Sequence, residues 1–408
     1  MKKLLVIAHV WPEPRSSAAG SRIVHLLQLL RGEFDEVTLV SAAERGPFSH
    51  DFKDSGINSV QVGLNDPSFD VFLRALQPDV VLFDRFMVEE QFGWRVREQV
   101  PQAMTVLDTE DLHFLRQARG EAVKSGKEWN DAFFYSDVAK REIASILRCD
   151  LSLVISEVEM NMLIEKMQVP GSLLHYIPLL VDEIPGNMPG FGERKNFLFI
   201  GNGFHEPNTD AITRLKKEIW PLIRKQLPTA GLHIYGAYLP EKVRQMNKPA
   251  EGFWVQGRAE EVSEIMKEAR VFLAPLRFGA GQKGKLLEAM LYGLPSVTTA
   301  VGAESMPGEL SWPGAISDNK EDFARQAIGL YQDENKWQGS VKLIKPLLEE
   351  RFRTSLFKES LLENIRQIYS RLEQHRQEHF IGQILRLNTL NSYKYLSRWI
   401  EEKNKKND

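Results

Sequence analysis

The sequence predicts an α/β protein built on parallel sheets, and three observations carry that reading. Short apolar runs of buried-strand type alternate with longer segments of helical period. The alternation breaks at residues 177–195, IPLLVDEIPGNMPGFGERK, where proline and glycine crowd out periodicity as in a linker, and then resumes. From about Glu321 to Asp408 only helical pattern remains, with no proline beyond Pro346. The chain therefore reads as two similar halves followed by a helical tail.

The first half opens with the strand Leu4–His9, a Pro/Ser/Ala/Gly loop from Pro12 to Gly20, and a helix whose Ile23, Leu26, Leu27 and Leu30 recur at helical spacing. Strands follow at Val37–Val40, Val60–Val62, Val80–Phe83, Met104–Leu107 and Leu151–Ile155. A long amphipathic helix is expected over Glu128–Leu147 and another over Glu157–Lys166. In the second half the strands are Phe197–Gly201, Gly231–Tyr235, Phe253–Val255, Val271–Ala274 and Ser296–Thr299, with helices at Thr209–Gln226 and Glu260–Ala269.

Composition sets the outer limits. At 408 residues, 43% hydrophobic and 26% charged, the chain is neither disordered, collagenous nor coiled coil. Its 52 Lys+Arg against 55 Asp+Glu give a formal charge of -3, no global reason to expect nucleic acid. Cys149 is the only cysteine, which excludes an intramolecular disulfide and a cysteine-rich zinc site and leaves a small buried hydrophobe. The start, MKKLLVIAHVWPEP, mimics a signal peptide, but Trp11, Pro12, Glu13 and Pro14 end the apolar run early and a buried first strand explains it. No later stretch approaches the roughly 18–20 apolar residues of a membrane span. The expectation is a cytoplasmic protein, with peripheral contact at the inner face of the cell membrane left open. The tail KYLSRWIEEKNKKND reads as a packed terminal helix or as a membrane-surface or partner helix.

Open parallel sheets bind ligands beyond the carboxyl ends of their strands, which makes the strand-end loops the candidate ligand sites. The most informative spans Ala274–Met306. Gly279, Gly281 and Gly284 allow close backbone approach, the helix start that follows offers free N–H groups, and Arg277, Lys283 and Lys285 add positive charge. That combination suits a diphosphate, with Glu288 placed for sugar hydroxyls; a tight turn with solvated lysines is the plainer alternative. A second constellation, LDTEDLHFLRQAR at Leu107–Arg119, sets Asp108, Asp111, His113 and Arg116 at a strand end, where a neutral histidine can exchange a proton with a sugar hydroxyl and a carboxylate can fix its tautomer. Capping aspartates and a surface histidine would look the same. Asp84 ends the neighbouring strand. The segments Met87–Arg97 and Gly120–Asp137 carry aromatics that would stack on an acceptor sugar or pack the domain.

The run LRFGAGQKGKLLEAMLYGLPSVTTAVGAES resembles the donor-binding segment of family four glycosyltransferases, the group 1, retaining, nucleotide-sugar enzymes of the GT-B fold. The opening strand and glycine-containing loop, FIGNGFHEPNTDAI and REIASILRCDLSLVISEVEMNML support the same resemblance, which covers most of the chain to about Leu310. It implies two Rossmann-like domains facing each other across a cleft: an acceptor-side domain over 1–185, a donor-binding domain over 186–360 and a helical extension over 361–408. The implied reaction moves a sugar, as a hexosyltransferase would, from a nucleotide-diphosphate sugar to a glycan, lipid-linked or other hydroxyl acceptor in polysaccharide biosynthesis. The donor is a substrate; no cofactor and no nucleic acid is implied.

Carried onto this sequence, the resemblance sets Glu288 at the nucleotide ribose, Gly20 at the diphosphate and His113 near the donor sugar. With the residue reading, Arg277, Gly279, Gly281, Lys283 and Lys285 complete the expected nucleotide-sugar site, Asp108 and Lys283 join His113 at the chemistry, and Asp84, Asp111 and Arg116 lie on the acceptor side. The family usually has two glutamates eight positions apart; the second matches Glu288, whereas Ala280 occupies the first. Loop backbone or Lys283 would then take over the sugar-side role. The departure keeps open a non-catalytic nucleotide-sugar or glycan-binding partner of another transferase, and the fold also accommodates a nucleotide-sugar epimerase. No Asp-x-Asp pair occurs, so metal-independent transfer is expected.

Overall fold

The computed structural model describes residues 1–127, 130, 134–184, 186 and 188–405. The first half folds as seven parallel strands: β1 (Lys3–Ala8), β2 (Glu36–Ser41), β3 (Asn58–Gln61), β4 (Val80–Asp84), β5 (Met104–Asp108), β6 (Leu151–Val154) and β7 (Leu174–Tyr176). Their order is β3-β2-β1-β4-β5-β6-β7. Alternation decides the layers. Leu5, Ile7, Val81, Phe83 and Leu107 belong to the apolar cluster on one face, and Leu4, Val6, Leu82 and Val106 to that on the other. Strands buried on both faces read as continuous apolar runs, which makes them legible in the sequence.

The second half repeats the plan with β8 (Lys195–Ile200), β9 (Leu232–Tyr235), β10 (Phe253–Gly257), β11 (Ala269–Ala274), β12 (Ser296–Thr298) and β13 (Gly314–Ile316), ordered β10-β9-β8-β11-β12-β13. In both sheets the strand order reverses beside the first strand, at β1/β4 and at β8/β11. The crevice beyond those strand ends is where such sheets bind ligands.

Several expectations change. The helix expected over Glu128–Leu147 begins only at Asp137, where the Ser136 hydroxyl accepts from the Ala139 amide at 3.2 Å; part of the expected span lies outside the described residues. The Met87–Arg97 aromatics pack the domain: Phe92 and Trp94 are buried in the helix Phe86–Gln99. β7 and β13, three residues each, are too short to show a period. The helix expected over Thr209–Gln226 starts three residues earlier, at Glu206, and carries a π-turn at Leu215–Ile219.

The chain crosses between the sheets twice, side by side. The Val181 amide donates to the Phe352 carbonyl at 2.8 Å and the Thr354 amide to the Val181 carbonyl at 3.0 Å. After the return, the helix Thr354–Ser370 inserts Leu361, Leu362, Ile365 and Ile368 into the apolar cluster formed by β1, β4 and β5. Sequence periodicity marks this helix as amphipathic but cannot say which domain it serves. Replacing Ile365 by Ala is expected to destabilise the protein by about 2–4 kcal/mol through lost burial and a residual cavity. Urea unfolding followed by tryptophan fluorescence measures it; a loss below about 0.5 kcal/mol would mean that the helix is a surface appendage.

Candidate active site

Two helix starts meet at the floor of the crevice. The helix Ala18–Arg31 is capped by Ser17, whose hydroxyl accepts from the Gly20 amide at 3.0 Å, and Gly20 lies against the Glu13 backbone, leaving no room for a side chain. The helix Gly284–Leu291 starts opposite it. A Cβ on Gly284 would stand 2.5 Å from the Ala18 Cβ, so only glycine lets these two ends come so close. The positive ends of two helices thus converge on one spot.

Arg22, one turn into the first helix and almost fully buried, anchors this arrangement. Its Nε and Nη2 donate to Asp108 at 2.8–3.0 Å, and its Nη1 donates to the Ile177 and Pro178 carbonyls at 3.1 Å. Asp108, expected near the chemistry, is therefore enclosed in an ion pair and positions the helix start. Asp84 is its partner on β4; one carboxylate oxygen accepts from the His9 amide at 2.9 Å, and the other stands 3.3 Å from Arg85 Nε.

The glycine-rich loop at residues 277–283 is pressed against the first domain. Gly281 has φ +61 and would bring a Cβ within 2.8 Å of Asp111 and Ile155, and its amide donates to Glu159 at 2.6 Å. Lys283 is buried; its Nζ donates to the Ala280 carbonyl at 3.1 Å and the Gly281 carbonyl at 2.5 Å, and burial pulls its pKa down to about 8. Lys285 donates to Asn208 over the ring of Phe199, and burial, reinforced by Lys283, lowers it to about 7. Burial pushes Glu288 up to about 7. Arg277 instead forms a two-pronged pair with Asp210 on the helix Glu206–Arg214. Ala280 is buried in the apolar cluster that also holds Leu112 and Phe114, surroundings in which a glutamate would leave a charge without water.

Across the crevice, Asp111 pairs with Arg116. Burial opposes its charge, but Arg116 and His113 hold its carboxyl well below the usual range. His113 begins the helix His113–Ser125, 3.7 Å from both Asp111 and Glu142 and edge-on to Phe86; burial lowers its pKa to about 4, so it is neutral at pH 7. Its Nδ1 is buried without a hydrogen-bond partner among the described residues. The helix start is capped from a distance, by Glu142 accepting from the His113 and Phe114 amides at 3.0 and 2.9 Å.

Several groups here escaped the sequence reading. Glu159 joins the Leu112 and Gly281 amides across the domains. Arg119 donates to the Gly279 carbonyl at 2.9 Å and grips Glu304 at 2.8–3.0 Å. Glu110, two residues beyond β5, has φ +61, a left-handed conformation that costs a non-glycine residue about 1 kcal/mol or more. One of its carboxylate oxygens is buried without a partner among the described residues, and burial followed by the Asp108 charge pushes its pKa up to about 8. Its only sequence signal was membership of the acidic run at a strand end.

Glu110 holds its proton to about pH 8 in the folded chain but loses it near 4.5 when unfolded. Folding is therefore weakened as pH rises between those values, with no further loss above. Glu110→Gln is expected to match the parent's thermal midpoint near pH 4 and exceed it at about pH 9. Differential scanning calorimetry at both pH values decides; equal midpoints throughout would refute the buried proton.

Residues 194–333 match a family model described as "Glycosyl transferases group 1". No curated protein matches the chain in sequence. Among solved structures, sucrose-phosphate synthase from Thermosynechococcus elongatus superposes with a TM-score of 0.68 at 13% identity, over 90% of this chain and 100% of that one. Anabaena HepE in complex with UDP and glucose gives 0.68 at 12%, over 90% and 100%. A point mutant of S. aureus TarM, in complex with fondaparinux, α-GlcNAc-glycerol and UDP, gives 0.56 at 15%, covering 74% of this chain and 58% of that one. The chain thus has the GT-B fold, and its second domain is similar to group 1 glycosyltransferases.

Proposed function

We propose that the protein is a retaining glycosyltransferase of family four that moves a sugar from a nucleotide-diphosphate sugar to a hydroxyl of a glycan or lipid-linked acceptor at the inner face of the cell membrane, as in polysaccharide assembly. The observation that carries this reading is the meeting of two helix starts, at Ala18 and Gly284, beside Lys283 and Lys285. A departing diphosphate gathers charge, and helix ends and ammonium groups already in place stabilise it without reorganisation. The same four elements make a divalent cation unnecessary. HepE, described with UDP-glucose, and TarM, described with UDP, make uridine diphosphate sugars the first donors to test.

In this reading the bond between the anomeric carbon and the diphosphate oxygen breaks with its electron pair leaving on the nucleotide. The acceptor oxygen bonds to that carbon from the same face, and its proton passes to the phosphate oxygen. Neutral His113 at the chemistry and protonated Glu110 act as hydrogen-bonding groups that add no repulsive charge. Gly20, Gly279, Gly281 and Glu288 hold the donor, and Asp84, Asp111 and Arg116 shape the acceptor side. Buried Ala280 favours a second reading, a nucleotide-sugar-binding partner without transfer activity. Transfer assays with a donor panel separate the two, and activity is expected to survive EDTA.

Lys283→Ala is expected to weaken nucleotide-sugar binding by about 10–100-fold, the loss of a charge-assisted contact; unchanged affinity in calorimetry would remove the lysine from the site. A second test uses the depressed lysine values. With Lys285 near 7 and Lys283 near 8 in the free protein, a bound diphosphate must raise both. Binding then takes up protons, and affinity falls as pH rises from 7 towards 9, by up to about tenfold per unit for each lysine that titrates. A flat or rising affinity would contradict the assignment.

A further inference from the structure

The terminal helix, Phe380–Lys405, is amphipathic in the reverse sense. Small and polar groups form the face it turns towards the first domain. Gly382 is buried where a Cβ would come within 2.3 Å of the Leu147 carbonyl. Arg386 bonds Asp150 at 2.6 Å and the Arg148 carbonyl at 2.7 Å, while Ser397 and Glu401 are buried against Arg95. The opposite face carries Phe380, Ile384, Tyr395 and Trp399, each 41–68% exposed. At 3.6 residues per turn these four fall within about a third of the helix circumference. Ion pairs fasten the helix, and its apolar stripe is turned outward to solvent.

We infer that this stripe lies on an anionic lipid surface. Residues 371–408 hold eight basic and five acidic side chains in a chain whose overall charge is -3. Arg376, Arg386, Lys394 and Arg398 are paired with Asp150, Glu98 and Asp70 of the first domain, and Lys403, Lys405 and Lys406 follow Trp399 in the sequence as positive charge at the end of the stripe. That polarity complements acidic headgroups, whereas pairing with a second copy would bring two positive tails together. Tyr395 and Trp399 are the residue types that settle at the boundary of hydrocarbon and headgroup, and the Lys403 ammonium stands 5.4 Å over the Trp399 ring. No described helix is long and apolar enough to cross a membrane, so this one lies along it. The helix packs on Phe86–Gln99 and Asp137–Arg148, which puts the lipid on the flank of the first domain.

Lipid contact through this face needs no transfer activity. Flotation of the full chain with vesicles of phosphatidylcholine and phosphatidylglycerol, against phosphatidylcholine alone, tests it without nucleotide. The parent protein is expected to float with the anionic vesicles, and Ile384→Asp/Trp399→Asp to float at least about tenfold less. Both changed side chains are exposed, so the thermal midpoint and nucleotide-diphosphate binding of the variant should equal the parent's. Failure of the parent to float, or equal flotation of the variant, overturns the proposal. So does sedimentation of the parent as a dimer that the variant converts to monomer, since a second copy would then cover the stripe.

Discussion

A single buried guanidinium sets the geometry on which the rest depends. Arg22 ties the start of the first helix to Asp108 at the end of β5 and, through the Ile177 and Pro178 carbonyls, to the point where the chain leaves for the second domain. One residue later the Leu179 amide donates to Gln282 at 2.9 Å, so the same anchor reaches the donor loop. Breaking one partner of a buried pair of this kind is strongly destabilising, because the other is left as a bare charge out of water. Helix start, strand end, crossover and loop are thereby held as one unit.

Around that unit the two domains are closed by side chains drawn from both. Glu159 bridges to the Gly281 amide, Arg119 to Glu304, and the Ser156 and Ser305 hydroxyls meet at 2.8 Å. Burial shifts Lys283, Lys285, Glu110 and His113 each towards its neutral form. At the proposed site an arriving diphosphate would recharge the lysines. Ala280 fits the same logic, since it lets the loop pack on apolar surface.

Much of the fold was legible, because strands buried on both faces appear as unbroken apolar runs and the linker as a loss of period. The close packing of the glycine-rich loop was legible through its glycines, since Gly281 and Gly284 lie at the close approaches that require them. What escaped depends on pairing between distant residues. Glu142 caps a helix that begins 29 positions earlier, and the conformation of Glu110 is imposed by its surroundings. The sequence around Phe380–Lys405 shows an amphipathic helix, yet the side that faces inward is decided by ion pairs to Asp70, Arg95 and Asp150, which no periodicity contains. Arg277 illustrates the converse: its basic side chain suggested phosphate, but Asp210, 67 positions away, occupies it.

Two helix starts, with buried Lys283 and half-buried Lys285 beside them, form the proposed diphosphate site. Calorimetric titration with UDP, GDP and ADP, each beside its nucleoside and monophosphate, tests it most directly. One diphosphate should bind, lose most of its affinity when the second phosphate is removed, and leave the nucleoside alone too weak to measure. Equal binding of nucleoside and diphosphate, or no binding of any diphosphate, would contradict the account.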